Sequence, residues 1–137
     1  MAKPANSSRR GSRGRSGGAS QLYAALDLGT NNCRLLIAEP TRAGGLRVVD
    51  SFSQIVTLGE GLANSGHLSE QAMGRAIEAL RKCSDKVKKH RPVQTRYIAT
   101  QACRQAANGK AFLNEVHRKI GLRMETITPK EEAKYAL

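Results

Sequence analysis

At 137 residues, 39% hydrophobic and 25% charged, the chain is sized for one globular domain. Its 23 Lys and Arg against 11 Asp and Glu leave a net charge of +12, which implies an anionic partner without bearing on the fold. Cys33, Cys83 and Cys103 lie far apart, which excludes a disulfide framework and suits reduced cytoplasmic thiols. The three histidines show no metal-ligand spacing, no stretch is long and apolar enough to span a membrane, and 4% aromatics with no Trp leave few platforms for stacking bases.

Residues 1–21 carry Lys3, Arg9, Arg10, Arg13 and Arg15 among Ser, Gly and Ala, with no acid. Such a segment buries too little apolar surface to offset its ordering entropy and is expected to be a disordered basic tail. It solubilises the chain, with weak RNA binding as the lesser reading. The expected folded domain is 22–137.

Apolar runs at 22–28 and 33–38 read as two strands joined by a tight hairpin, and 46–58 reads as a third. Gly59-Glu60-Gly61 breaks the pattern. Ser69 is placed to cap a helix to about residue 89, with Met73, Ile77, Leu80, Cys83 and Val87 as its buried stripe. A short strand over 93–99, a helix or turn over 102–106, and a helix with Phe112, Val116 and Ile120 on one face follow; Gly121 ends the last of these. A fifth strand is expected over 122–127. Thr128-Pro129-Lys130-Glu131 then reads as N-cap, N1 and capping box of another helix. Three hairpin-like strands, then helix–strand, helix–strand and helix, predict an α/β fold: a ribonuclease H-like mixed sheet with flanking helices.

The hairpin tip carries the chemistry. Gly29 can bring backbone amides close to a ligand and can take positive φ, and Thr30, Asn31 and Asn32 add side-chain donors suited to phosphate. Asp27 ends a buried strand, where a carboxylate is costly unless it serves a metal or an ordered water. An ordinary Asx-type turn is the plainer alternative.

Asp27-Leu28-Gly29-Thr30, with Arg34 four residues on, resembles the first phosphate motif of the actin, Hsp70 and sugar-kinase superfamily. Thr57-Leu58-Gly59-Glu60-Gly61-Leu62, Ala99-Thr100-Gln101-Ala102-Cys103-Arg104-Gln105-Ala106 and Ile127-Thr128-Pro129-Lys130-Glu131-Glu132-Ala133 narrow the resemblance to Ppx/GppA phosphatases, over residues 22–137. Thr30 and Asn32 replace commoner serines but keep donors. The resemblance implies the first lobe of an actin-like ATPase fold, cut short before a second Gly-rich loop and a second lobe, and so silent alone.

It further implies that Asp27 holds or orients a hydrated Mg2+, and that Gly29, Thr30, Asn31 and Asn32 bind the terminal phosphate. Arg104 would clamp a phosphate oxygen. Glu132 would be the catalytic carboxylate that aligns and deprotonates water, since the capping box occupies Glu131. The implied substrate is a polyanion, polyphosphate or guanosine pentaphosphate (pppGpp), in the cytoplasm and away from membranes. A homodimer of the full-length family member is left open. Cys33 and Cys103 read as small buried thiols, and Glu60 stays unassigned. Two rival readings remain: a lobe of an ATP-dependent sugar or acetate-type kinase, and a basic non-catalytic nucleic-acid-binding fragment.

Overall fold

A computed structural model of the chain describes residues 21–135. The expected tail, apart from Gln21, lies outside the described residues, as do Ala136, Leu137 and the side chains of Glu132 and Tyr135. The elements run β1 (Tyr23–Leu28), β2 (Asn32–Pro40), β3 (Leu46–Ile55), α1 (Leu62–Ser65), α2 (Glu70–His90), β4 (Gln94–Ala99), α3 (Gln101–Gln105), α4 (Gly109–Ile120), β5 (Glu125–Thr126) and α5 (Pro129–Tyr135). The five strands form one sheet in the order β3-β2-β1-β4-β5. The β1–β2 and β2–β3 pairs are antiparallel, while β4 runs parallel to β1 and β5 parallel to β4. This is the mixed sheet with flanking helices that the element order predicts.

Strict alternation in β1 and β2 gives the sheet two unlike faces. Ala24, Leu26 and Leu28 of β1, with Cys33, Leu35 and Ile37 of β2, are buried in the core with α2 and α4. Ala25, Asp27, Arg34 and Leu36 point the other way and are exposed. A register shift after Ile37 lets Ala38 be buried as well.

The buried line of α2 is Ala72, Ala76, Ala79 and Cys83, with Leu80 and Ser84 beside it. Leu80 and Cys83 of the expected stripe are fully buried, whereas Met73, Ile77 and Val87 are only half-buried, at its flank. Alanines at the centre let the helix lie close on the large aliphatic side chains of the sheet. Ser69 caps α2 as expected, its Oγ accepting from the Ala72 amide at 3.1 Å.

Three other boundaries differ. The third strand stops at Ile55, because the next amides turn away to the β1–β2 hairpin and Thr57 adopts φ 48°. The unexpected α1 is one turn between Gly61 (φ 77°) and Gly66 (φ 75°), where glycine accommodates left-handed backbone. The fifth strand shrinks to Glu125 and Thr126, which pair with Ile98 and Ala99. Leu122 and Ile127 are buried, but outside the ladder.

Candidate active site

The parallel strands β1, β4 and β5 end at one edge. There the Gly29–Asn32 turn, Thr100 at the start of α3 and Thr128 at the start of α5 follow them. In open α/β sheets this carboxyl edge is where ligands bind.

The turn is held from behind. The Gly29 amide donates to the Asn32 carbonyl at 2.9 Å. The Asn31 carbonyl accepts from Val56 (2.8 Å) and Thr57 (2.9 Å), and the Thr30 carbonyl accepts from Gly59 at 3.0 Å. Arg75 secures that supporting segment: its Nε donates to the Val56 carbonyl at 2.8 Å and its Nη2 to that of Thr57 at 3.2 Å. Glu60 completes the clamp through an ion pair with Arg75 at 2.5 Å, which gives that residue a role. A Cβ on Gly59 would lie 2.5 Å from Cγ2 of Thr30, so this contact requires glycine.

In front of the turn lies a cavity of about 260 Å³, bordered by Asp27, Gly29, Thr30, Asn31, Asn32, Arg34, Thr100 and Gln101. The structure therefore gathers five of the seven candidate residues. Two arguments made for them need correction. Gly29 does not take positive φ. A methyl there would sit 3.4 Å from the Asn32 carbonyl and 3.7 Å from Thr100 Oγ1, so the fold itself tolerates a side chain. Asp27 is not buried either: β1 is covered on one face only, and Asp27 is on the open one, directly across from Arg34 of β2. Its presence is not forced by a desolvation cost.

Arg104 is half-buried, and its Nη1 donates to the Ile127 carbonyl. It borders a different cavity, of about 430 Å³, with Cys103, Lys110 and Thr126. The structure thus ties Arg104 to the segment entering α5 and does not bring it to the Gly29 cleft. The capping box forms as expected: the Thr128 amide donates to Glu131 Oε1 at 2.9 Å, and the Glu131 amide donates to Thr128 Oγ1 at 3.1 Å. The first of these bonds holds the Glu131 carboxyl below its usual pKa. Glu132 is the next residue of α5, and its side chain lies outside the described residues.

Arg34, Thr100 and Gln101 were not singled out as site residues. Arg34 was legible, because it and Asp27 stand equally far from a four-residue turn and so must pair across the hairpin. Thr100 is buried, its amide donating to the Leu28 carbonyl at 3.0 Å. No local pattern marks that long-range contact.

Cys33 and Cys103 are small buried thiols, as read. Cys33 is pushed up by its hydrogen bond with Cys83, Sγ to Sγ 3.9 Å, and then by burial. Burial alone pushes Cys103 up to about 12. Among the described residues no three His, Cys, Asp or Glu gather as a metal cluster. An exposed Asp27 beside a phosphate-sized cleft still fits Mg2+, which commonly takes one or two carboxylates, several waters and substrate oxygens. No helix among the described residues is long and apolar enough to cross a membrane.

Fold and site together define a mixed-sheet lobe with a polar cleft at its carboxyl edge. The Ppx/GppA phosphatase family matches residues 36–137, and the chain belongs to that family. A Ppx/GppA family member from Aquifex aeolicus superposes with a TM-score of 0.81 at 30% identity, covering 86% of this chain and 38% of that one. An exopolyphosphatase from Cytophaga hutchinsonii gives 0.77 at 26% identity, over 83% of this chain and 36% of that one. An exopolyphosphatase-like protein gives 0.76 at 32% identity, over 83% and 34%. The chain thus spans between 34% and 38% of the length of these relatives.

Proposed function

We propose that this chain is the first lobe of a phosphoanhydride hydrolase that releases terminal phosphate from polyphosphate or pppGpp by attack of water. The observation that carries the reading is the Gly29–Asn32 turn. Its Thr30 and Asn31 carbonyls are engaged on the protein side, and its donor side chains border an open cleft. Because the fold does not demand glycine at Gly29, close approach of a ligand is the remaining reason for it. Family membership favours this chemistry over a sugar kinase.

Phosphoryl transfer asks the protein for positioning and charge neutralisation more than for covalent help. Gly29, Thr30, Asn31 and Asn32 would hold the terminal phosphate, and Arg34 would add positive charge at the cleft mouth. Asp27 would hold Mg2+ through water, and the bound ion would offset negative charge on the substrate oxygens. Arg104 would clamp a phosphate oxygen by exchanging one of its present bonds, such as that of Nη1 to the Ile127 carbonyl, for the substrate. Glu132 would orient and deprotonate the water. Glu131 is excluded from that role because its carboxylate caps α5. Among the described residues the candidate phosphate donors line one side of the cleft, so residues 1–137 alone would hold substrate without hydrolysing it.

Phosphate release from polyphosphate and pppGpp with magnesium, measured on the longest protein containing this chain, tests the assignment. Glu132→Gln keeps the shape and removes the base, and turnover should fall about a hundredfold or more. Glu131→Gln should cost far less. The opposite ordering would overturn the reading.

A further inference from the structure

The edge of the sheet opposite the cleft concentrates positive charge. Helix α2 leads into β4, which is parallel to β1, so α2 ends where β1 begins; the Val93 amide donates to the Leu22 carbonyl there at 2.8 Å. Gly121, which ends α4, lies four residues before Glu125, the partner of Ile98, so α4 ends on the side from which β5 enters the sheet. The β2–β3 hairpin turns at the same edge, since Ala38 pairs with Tyr23.

Most acids at this edge already have partners. Asp50 is bound by Lys86 and His90, Glu39 by Arg47, and Glu115 by Lys119. Arg42, Lys88, Lys89, Arg91 and Arg118 are exposed, with no ion pair among the described residues. Asp85 is the one acid there in the same condition. Two helix C-termini supply about half a negative charge each. Dipole compensation therefore accounts for about one of the five cations and Asp85 for another, leaving a surplus of about three.

We infer that this edge is a second anion-binding surface, and that its ligand is inorganic polyphosphate in chains long enough to reach from it toward the Gly29 cleft. The inference rests on the proposed function for the chemistry of its ligand. Among the described side chains no Phe or Tyr is exposed: Phe112 is buried, and Tyr23, Phe52 and Tyr97 are half-buried. The surface offers charge with no exposed Phe or Tyr platform among the described side chains, which favours a polymer of phosphates over single-stranded nucleic acid. Six residues of β1 set the two edges about 20 Å apart. A chain anchored at one edge could present its terminal phosphate at the other.

The test is equilibrium binding of long-chain polyphosphate and of tripolyphosphate to the 137-residue chain at about 0.15 M salt, without magnesium. Lys88→Glu, Lys89→Glu and Arg118→Glu combined should weaken long-chain binding about tenfold or more. The salt slope should fall by about three, one for each lost phosphate contact. Tripolyphosphate binding should stay within about twofold, because the edges are more than twice the Debye length of about 8 Å apart. Equal loss for both ligands, or loss for neither, overturns the inference. So does tighter binding of an RNA of equal phosphate count that the same variant abolishes. If charge reversal unfolds the chain, Lys88→Gln, Lys89→Gln and Arg42→Gln give the same reading with smaller steps. The readout is binding, so failed hydrolysis in Glu132→Gln comparisons would sink the catalytic assignment and leave this surface standing.

Discussion

The two faces of the sheet are built from alternate residues of the same strands, and they behave as different materials. On the covered face Leu26 and Leu28 are 1% exposed and Ile37 and Cys33 0%, sealed by the alanine line of α2. On the open face Asp27 pairs across with Arg34 and Ala25 with Leu36, above a groove of about 670 Å³ that also touches Ser51, Ser53 and Arg96. A period of two therefore divides stability from chemistry within six residues of β1. The covered face should resist substitution, and the open face carries the groups proposed to touch ligand.

The sharpest way to break that comparison is to truncate a leucine on each face. Leu26→Ala removes buried volume from the centre of the core and should cost about 2–5 kcal/mol. Leu36→Ala lies on the adjacent strand but is 41% exposed, and should cost about 0.5 kcal/mol or less. Urea unfolding of the two variants measures both. Comparable losses would mean that the open face is covered in solution.

A smaller effect sharpens the same comparison at the rim. Gly59→Ala drives a methyl into Cγ2 of Thr30 and should destabilise by about 1–3 kcal/mol. Gly29→Ala meets only ordinary contacts, so its stability should hardly move while its affinity for tripolyphosphate falls. Thermal melts beside binding isotherms separate the two. If Gly59→Ala left both quantities unchanged, the segment behind the turn would not be holding it.

What could be read without the structure follows how local each signal is. The hairpin, the Ser69 cap and the Thr128–Glu131 box are set by neighbours within a few residues, and each stands where its pattern predicts. In the α2 stripe Leu80 and Cys83 were legible, but Met73 and Ile77 stood in for Ala72, Ala76 and Ala79, because methionine and isoleucine outweigh alanine in any hydrophobicity pattern. Only the nearness of the sheet shows that small residues belong at the centre. The fifth strand was overread for a related reason: Leu122 and Ile127 are buried by packing, while strand length depends on a distant partner. In the cleft the turn residues were legible. The clamp by Arg75 joins positions 18 and 19 residues apart, on carbonyls that carry no side-chain signature.

The smallest expected effect concerns acid, and it tests how β3 is held to α2 on the covered side. The Asp50 carboxylate accepts from His90 Nε2 at 2.9 Å and from Lys86 Nζ at 3.1 Å. These two partners, His90 first, hold its pKa at about 2. A carboxyl depressed in the folded state contributes stability above its unfolded value of about 3.9 and loses it as pH falls through the folded value. The contribution of Asp50 should therefore be intact at neutral pH and disappear between about pH 4 and pH 2. Asp50→Asn should lower stability modestly at pH 7 and flatten the stability curve across that acid window. The difference should shrink in high salt, because the pair is accessible to screening. Glu131 and Glu115 are also held low, by the Thr128 amide and by Lys119, so some acid slope should survive. An Asp50→Asn curve parallel to wild type from pH 4 to 2 would assign the acid response to other carboxylates and leave the β3–α2 contact to packing alone.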